Sequence, residues 1–435
     1  GLRFLPFVGD VDGNGSVEVL AQAYGGSNPN WRVFVLSGAT GQVRSQVSGF
    51  ALYVYQVVVA DADGDGKMEL FEGNPGDSDS FVFSFKHGAD NPVIVGQISD
   101  FHRVPVVADF NGDSTPEVLV PTDDGAPKYR IINPATWGIS STAVLTVAYY
   151  VNVLAEDVLT SSPGREIVAY WTPYFGIAPI HLTLHKVGPA PGYAVTQIWA
   201  RSVFSTTDQA GWDNSYLVSA NLDGSGDREI VWSHYRVSSN TWRTEIVNAN
   251  DGSVIAFLDN KRLCAGGSLV APVGWKGGFG IGAVNLDNDQ ADEIFLCGES
   301  TVSAFDWDGS SLVAKWSRNI ALAARRELIS NDPHTTQRIG RFAADFDLDG
   351  GLDVLAWEGG ALKALRGVNG TPVYTYTPPV NASLQYLGDL DGNPATPEVV
   401  LSGADGYLYY LDRTLNLQRR MYAGAGFTDP YVVDT

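Results

Sequence analysis

The sequence predicts an all-β chain folded as one eight-bladed β-propeller, each blade a four-stranded antiparallel sheet. Three observations predict it. An acidic motif recurs along the 435 residues, its first position falling at 10, 61, 109, 157, 221, 285, 345 and 389. The mean spacing is about 54 residues, which is also the chain length divided by eight, and internal periods of this size mark arrays and propellers. Each period carries the same four short β-rich runs. Length alone suggests two or three domains, but a closed ring of like sheets is one unit that removes the free edges of its parts.

The motif is clearest at 60–71, "ADADGDGKMELF". Asp61, Asp63 and Asp65 alternate, Gly66 permits a tight curl, and Glu69 follows. Carboxylates so spaced can wrap a calcium ion, which takes about 6–8 oxygen ligands. An EF-hand starts similarly but places its last acid at the twelfth position, between helices. Here the acid is ninth, and the flanks "YQVVVA" and "MELF" read as strands. The loop therefore joins two strands of a hairpin.

The same pattern returns as "GDVDGNGSVEVL" (9–20), "ADFNGDSTPEVL" (108–119), "ANLDGSGDREIV" (220–231), "VNLDNDQADEIF" (284–295), "ADFDLDGGLDVL" (344–355) and "GDLDGNPATPEVV" (388–400). "EDVLTSSPGREIV" (156–168) holds the fourth place, stripped of ligands. An apolar run precedes each motif and another follows it, as in "EVLVP" (117–121). Two further strands then meet at a Gly, Asn or Asp turn, as in "RVFVLSGATGQVRSQV" and "SAFDWDGSSLVAKW". Blades so defined begin near 2, 53, 102, 149, 215, 278, 339 and 383, and the propeller covers 1–425. The last stretch, "GFTDPYVVDT" (426–435), reads as a tail or as the start of a further strand.

Composition narrows the partners. A net charge of -21 argues against nucleic acid or an anionic membrane. No apolar run reaches the length of a transmembrane helix. The opening "GLRFLPFVGD" reads as strand rather than as a signal peptide, so a leader has been removed or the chain is a fragment. Two cysteines do not make a disulfide-rich scaffold.

The repeats resemble FG-GAP/VCBS repeats, the family that builds the integrin α-subunit head, over nearly the whole chain. That resemblance implies calcium loops on the lower face, between the innermost strand A and strand B. It also implies ligand binding on the upper face, by B–C and D–A loops. Carried over by position, the calcium ligands are Asp10, Asp12, Asn14 and Glu18 in the first blade and Asp61, Asp63, Asp65 and Glu69 in the second. The third offers Asp109, Asn111, Asp113 and Glu117; the fifth Asn221, Asp223, Ser225 and Glu229; the sixth Asn285, Asp287, Asp289 and Glu293. The seventh offers Asp345, Asp347, Asp349 and Asp353, and the eighth Asp389, Asp391, Asn393 and, after one extra residue, Glu398. The fourth blade should bind nothing. These positions hold 22 of the 49 acids, and about seven structural Ca²⁺ would bring the net charge to about -7.

Loops assigned to the upper face are long in blades four to seven, where a rigid scaffold concentrates binding residues. "YWTPYFGIAPIH" (170–181), "SHYRVSSNTW" (233–242), "RSVFSTTDQAGWDNSY" (201–216) and "NKRLCAGGSLVAPVGWKGG" (260–278) carry the candidates Trp171, Tyr174, Trp212, Tyr235, Trp242 and Trp275. Aromatics with polar neighbours suit sugar rings or a protein partner; the bland alternative is packing between blades. Cys264 and Cys297 fall at the same end of the sixth blade, within reach of a disulfide; the alternative is two buried thiols. His181 and His185 share a strand face without a third ligand, which fits ordinary packing. Neither G-x-S-x-G nor H-E-x-x-H occurs.

The reading is a secreted or surface-displayed, calcium-stabilised module that binds a protein or glycan and is not an enzyme. A polysaccharide lyase-like enzyme and a structural subunit of a surface filament are the rival readings.

Overall fold

A computed structural model describes residues 7–24, 31–50, 58–72, 79–99, 106–122, 128–144, 150–172, 177–206, 215–236, 239, 241–264, 278–279, 283–298, 301–323, 326–327, 338–339, 342–389, 393 and 395–422. The tail at 426–435 lies outside them. No helix occurs among the described residues, so none is long and apolar enough to cross a membrane.

The chain is an eight-bladed propeller of four-stranded antiparallel blades. Blade one is Phe7–Gly9, Glu18–Tyr24, Trp31–Ser37 and Val43–Phe50, strands A to D from inside outward. Blades two, three and four repeat this from Val58–Ala60, Val106–Ala108 and Tyr150–Glu156, and blades five and eight from Ser215–Ala220 and Ala382–Gly388. Strand B is sandwiched between neighbouring blades, so it reads as an unbroken apolar run: Val118, Leu119 and Val120 are fully buried. Strand D is the outer edge and alternates, as in Val254–Asp259, where half-buried and exposed residues take turns.

Seven buried clusters lie one at each successive blade junction, from one–two to seven–eight. An eighth, Tyr386, Val400 and Leu408, lies within blade eight. Tryptophan clamps two junctions. Trp199, on strand D of blade four, donates from Nε1 to the Ala249 carbonyl of blade five at 2.6 Å, and Trp316 of blade six donates to Gly367 of blade seven at 2.6 Å. Each ring lies on a turn glycine with left-handed φ, Gly252 (+73°) and Gly370 (+68°), where an added Cβ would sit 2.7 and 2.9 Å from the indole.

Strand A is split in two blades. In blade six, Arg262–Leu263 pairs with the upper end of strand B, at Cys297 and Leu296. The chain leaves after Cys264 and returns at Val284, which bridges Glu293 lower down. In blade seven, Ala321–Leu322 and Ala343–Ala344 flank the same gap: Leu355 accepts from Ala323 N–H and donates to the Phe342 carbonyl. The blade starts expected near 278 and 339 therefore mark only the second piece of each strand. In sequence the inserted chain reads as a plain D–A loop, because a two-residue rung has no periodicity to detect. Part of it, Gly278–Phe279, runs parallel to Tyr216 and Leu217 of blade five.

Cys264 and Cys297 are bonded, with Cα atoms 5.0 Å apart. The bond pins the short upper rung where the chain leaves the sheet. On the chain-entropy model, closing this loop is worth about 3–4 kcal/mol. Urea unfolding of the Cys264→Ala/Cys297→Ala variant at fixed calcium should show that loss.

Every blade also has a β-bulge between strands C and D. The unpaired extra residues are Arg44, Val95, Ser140, Ile198, Ile255, Lys315, Val373 and Gln418, in blade order. A bulge re-aims a side chain, and in blades one and six it aims a cation.

Candidate functional site

The acidic loops share one frame. The closing acid accepts, through one oxygen, the backbone N–H of the residue after the first ligand position: Val11 to Glu18, Ala62 to Glu69, Phe110 to Glu117, Leu222 to Glu229, Leu286 to Glu293 and Phe346 to Asp353, at 2.6–3.2 Å. The fourth blade keeps this bond, Val158 N–H to Glu166 at 3.0 Å, although its other ligand positions are lost. The residue whose N–H is bound is apolar and buried each time, so it plugs the loop into the junction core. The sequence carried that signal as the hydrophobe between alternating acids.

Two residues after that plug the backbone turns left-handed. Glycine serves at 13, 64, 112 and 224, but Asn288 (φ +65°) and Leu348 (φ +61°) take the same conformation in blades six and seven. The loops are also tied to one another. The residue before the closing acid donates to the previous loop: Met68 to Val11, Arg165 to Asp109, Arg228 to Val158 and Asp292 to Asn221, at 2.7–3.0 Å.

The structure brings together the first, third and closing positions. Oxygens of Asp10, Asp12 and Glu18, of Asp61, Asp63 and Glu69, and of Asp345, Asp347 and Asp353 each lie within 4.8 Å of one another. A shell of oxygens about 2.4 Å from a central calcium spans about 4.8 Å across. The fifth position sits at the rim. Asn14, Asp65, Asp113, Asp289 and Asp349 each accept from the backbone N–H two residues on. Asp391 lies outside the described residues; Asn393 caps Ala395.

Burial pushes the closing acids up: Glu69 and Glu117 to about 8, Asp353 to about 6, with Glu18, Glu166, Glu229 and Glu293 raised as well. A buried carboxyl of this kind takes a proton or a cation. Blade two fits a cation well. Asp61 Oδ1 and Glu69 Oε1 are buried and accept no hydrogen bond, so two carboxyl oxygens of the cluster are left without a donor. Blade seven fits similarly: Asp347 Oδ1 has no donor, and Arg366 reaches Asp347 from a 44% exposed rim position. In blade three the Asn111 amide donates to Glu117 and Asp113, at 2.7 and 3.1 Å, where a metal would need its oxygen.

Blade six does not fit. Lys315 Nζ stands in the cluster, 2.5 Å from Asp287 Oδ2, 2.5 Å from Glu293 Oε1 and 3.2 Å from Asp306. Blade one is intermediate. Arg44 Nη1 donates to Glu18 Oε1 at 2.6 Å and Nη2 lies 3.8 Å from Asp12, but Nε and Nη2 hold Asp90.

On the upper face, Tyr235 and Trp242 are cross-strand partners at the end of strand B and the start of strand C in blade five. Their rings meet at 5.8 Å, and Trp242 meets Tyr216 at 5.5 Å. Arg262 lies over both Trp242 and Tyr216, at 5.4 and 5.6 Å, and donates to the Tyr216 hydroxyl at 3.2 Å. All four are half-buried. Sequence reasoning missed Tyr216 and Arg262 because they sit at strand ends read as loop. Beneath them Glu245 pairs with Arg201 at 2.9 Å and lies 3.5 Å from His234; burial alone would raise its pKa, and its contacts with His234 and the Arg201 guanidinium hold it down. Trp171 pairs with Val151 on strand B of blade four. Tyr174, Trp212 and Trp275 lie outside the described residues. His185 is buried, which presses its pKa to about 4 and keeps it neutral.

No family model matches the chain, and no curated protein matches it. Among solved structures it is similar to BamB from Moraxella catarrhalis, with 10% identity, a TM-score of 0.43, and 85% of this chain and 88% of that one covered. It is similar to the V. cholerae biofilm matrix protein Bap1, with 15% identity, a TM-score of 0.43, and 99% and 82% covered. It is also similar to the Dos1 propeller, with 10% identity, a TM-score of 0.44, and 100% and 97% covered.

Proposed function

We propose that the chain is an FG-GAP/VCBS-type, calcium-stabilised recognition propeller, secreted or displayed at a cell surface, that binds a glycan through the upper end of blade five and catalyses nothing. The observation that carries the binding role is the convergence of Tyr216, Tyr235 and Trp242 with the Arg262 guanidinium. Fully buried rings would signal core packing; these keep part of their surface in water. Ring faces favour the apolar face of a sugar, and a guanidinium beside them favours an acidic substituent.

Calcium in the lower loops is supported by the clustered carboxylate oxygens of blades two and seven, some of them buried without a donor. Metal there would hold the loops and, through the backbone ties between them, the underside of the ring; it need not touch the ligand. The disulfide favours an oxidising compartment. A glycan array probed with the intact protein in calcium tests the reading. Trp242→Ala should lower binding at least tenfold with the melting temperature nearly unchanged. An empty array, with a protein ligand captured instead, would move the partner class; binding that survives Trp242→Ala would move the site.

A further inference from the structure

The eight bulges place one strand D residue in the same position in every blade, and in two blades that residue is basic. Lys315 and Arg44 both hold the Oε1 of the closing glutamate that the backbone leaves unused, and Lys315 also holds the Oδ2 of Asp287, the acid at the third loop position. Those are the oxygens a loop-bound metal would take. Donorless oxygens also remain in blades one and six, at Asp12 Oδ1 and Asp287 Oδ1, but in blades two and seven the bulge residues are Val95 and Val373, so no cation enters from the bulge. We propose that Lys315 is a built-in counter-ion that replaces the metal in blade six, that Arg44 does the same in blade one, and that metal uptake is confined to loops whose bulge residue is uncharged.

The geometry around Lys315 supports this. Its side chain is 12% exposed and the Glu293 carboxylate not at all, so the ammonium is inside the loop rather than across its mouth. Three acids surround it, matching an ammonium's three donors. A divalent ion at the same oxygens would lie within a bond length of this cation and be repelled. Asp306, on strand C, joins this cluster from outside the motif and strengthens the hold on the lysine.

The inference rests on the reading that open loops take calcium, and the test separates the two. Equilibrium dialysis with calcium alone, on the intact chain, counts ions bound. Lys315→Met should add one ion per chain, Arg44→Met one, and the double variant two. The Lys315→Met melting temperature should fall in chelator and recover in millimolar calcium. Conversely, Val95→Lys in blade two should remove one ion, a result available even if Lys315→Met does not fold. An unchanged count in Lys315→Met, or in Val95→Lys, overturns the proposal while leaving calcium in the wild type intact. A wild-type count of zero overturns the calcium reading itself, and this proposal with it.

Discussion

Replacing Trp316 by alanine is expected to lower the unfolding free energy by about 3–5 kcal/mol, the cost of emptying a large buried aromatic site. The ring belongs to the cluster between blades six and seven and touches Phe295, with centroids 6.0 Å apart. Its Nε1–H bond to the Gly367 carbonyl disappears as well, leaving a buried acceptor short of its donor. Trp316→Phe should recover most of the packing but not the bond. The same logic applies to Trp199 and Ala249. Gly370→Ala should act from the other side of the clamp, because a Cβ there meets the indole at 2.9 Å and the backbone at φ +68° favours glycine. Chemical denaturation at fixed calcium measures all three.

The second large effect is the dependence of stability on pH in chelator. Glu69 and Glu117 stand at about 8 in the folded chain and Asp353 at about 6, against ordinary values of 4.5, 4.5 and 3.8. The folded state therefore binds more protons than the unfolded chain between those values, and its stability falls as pH rises through them. Metal-free protein should melt higher at pH 5 than at pH 8. Calcium should reverse the slope, because protons then compete with the ion for the same oxygens. Glu69→Gln makes the sign visible in one loop: it should raise the melting temperature in chelator at pH 8 and lower it in calcium. Parallel slopes with and without calcium would contradict the assignment of these acids as ion ligands.

Much of the fold was legible in the sequence, for physical reasons. A motif that needs three acids, left-handed turn residues and a hydrophobe within nine positions is rare enough that its recurrence fixes the period. The apolar run of strand B follows from its place between two blades, as at Val118–Val120. The split strands were not legible, since Arg262–Leu263 and Ala321–Leu322 are rungs of two residues whose pairing is set by distant chain. Nor were the counter-ions. Lys315 lies 22 positions beyond Glu293, and only the bulge turns it inward. In blades one, two and seven the motif located the acids that cluster, but not the second use of the closing one. Glu166 shows that use by itself: it still binds the Val158 and Leu159 N–H groups in a loop without other ligands. On the upper face, composition pointed to Tyr235 and Trp242, and the fold added Tyr216 from strand A and Arg262 from the next blade.

The central claim is that divalent ions in the open loops hold the underside of the ring together. Each site filled at a hundred times its dissociation constant adds about 2.7 kcal/mol, and the backbone ties between loops pass that gain to their neighbours. Calorimetry at pH 8 on the intact, oxidised chain, in millimolar calcium and again in excess chelator, tests it most directly. The account predicts a melting temperature lower by about 6 °C in chelator (about two filled sites' worth), restored when calcium is returned. Coincident melting curves in the two buffers would contradict it.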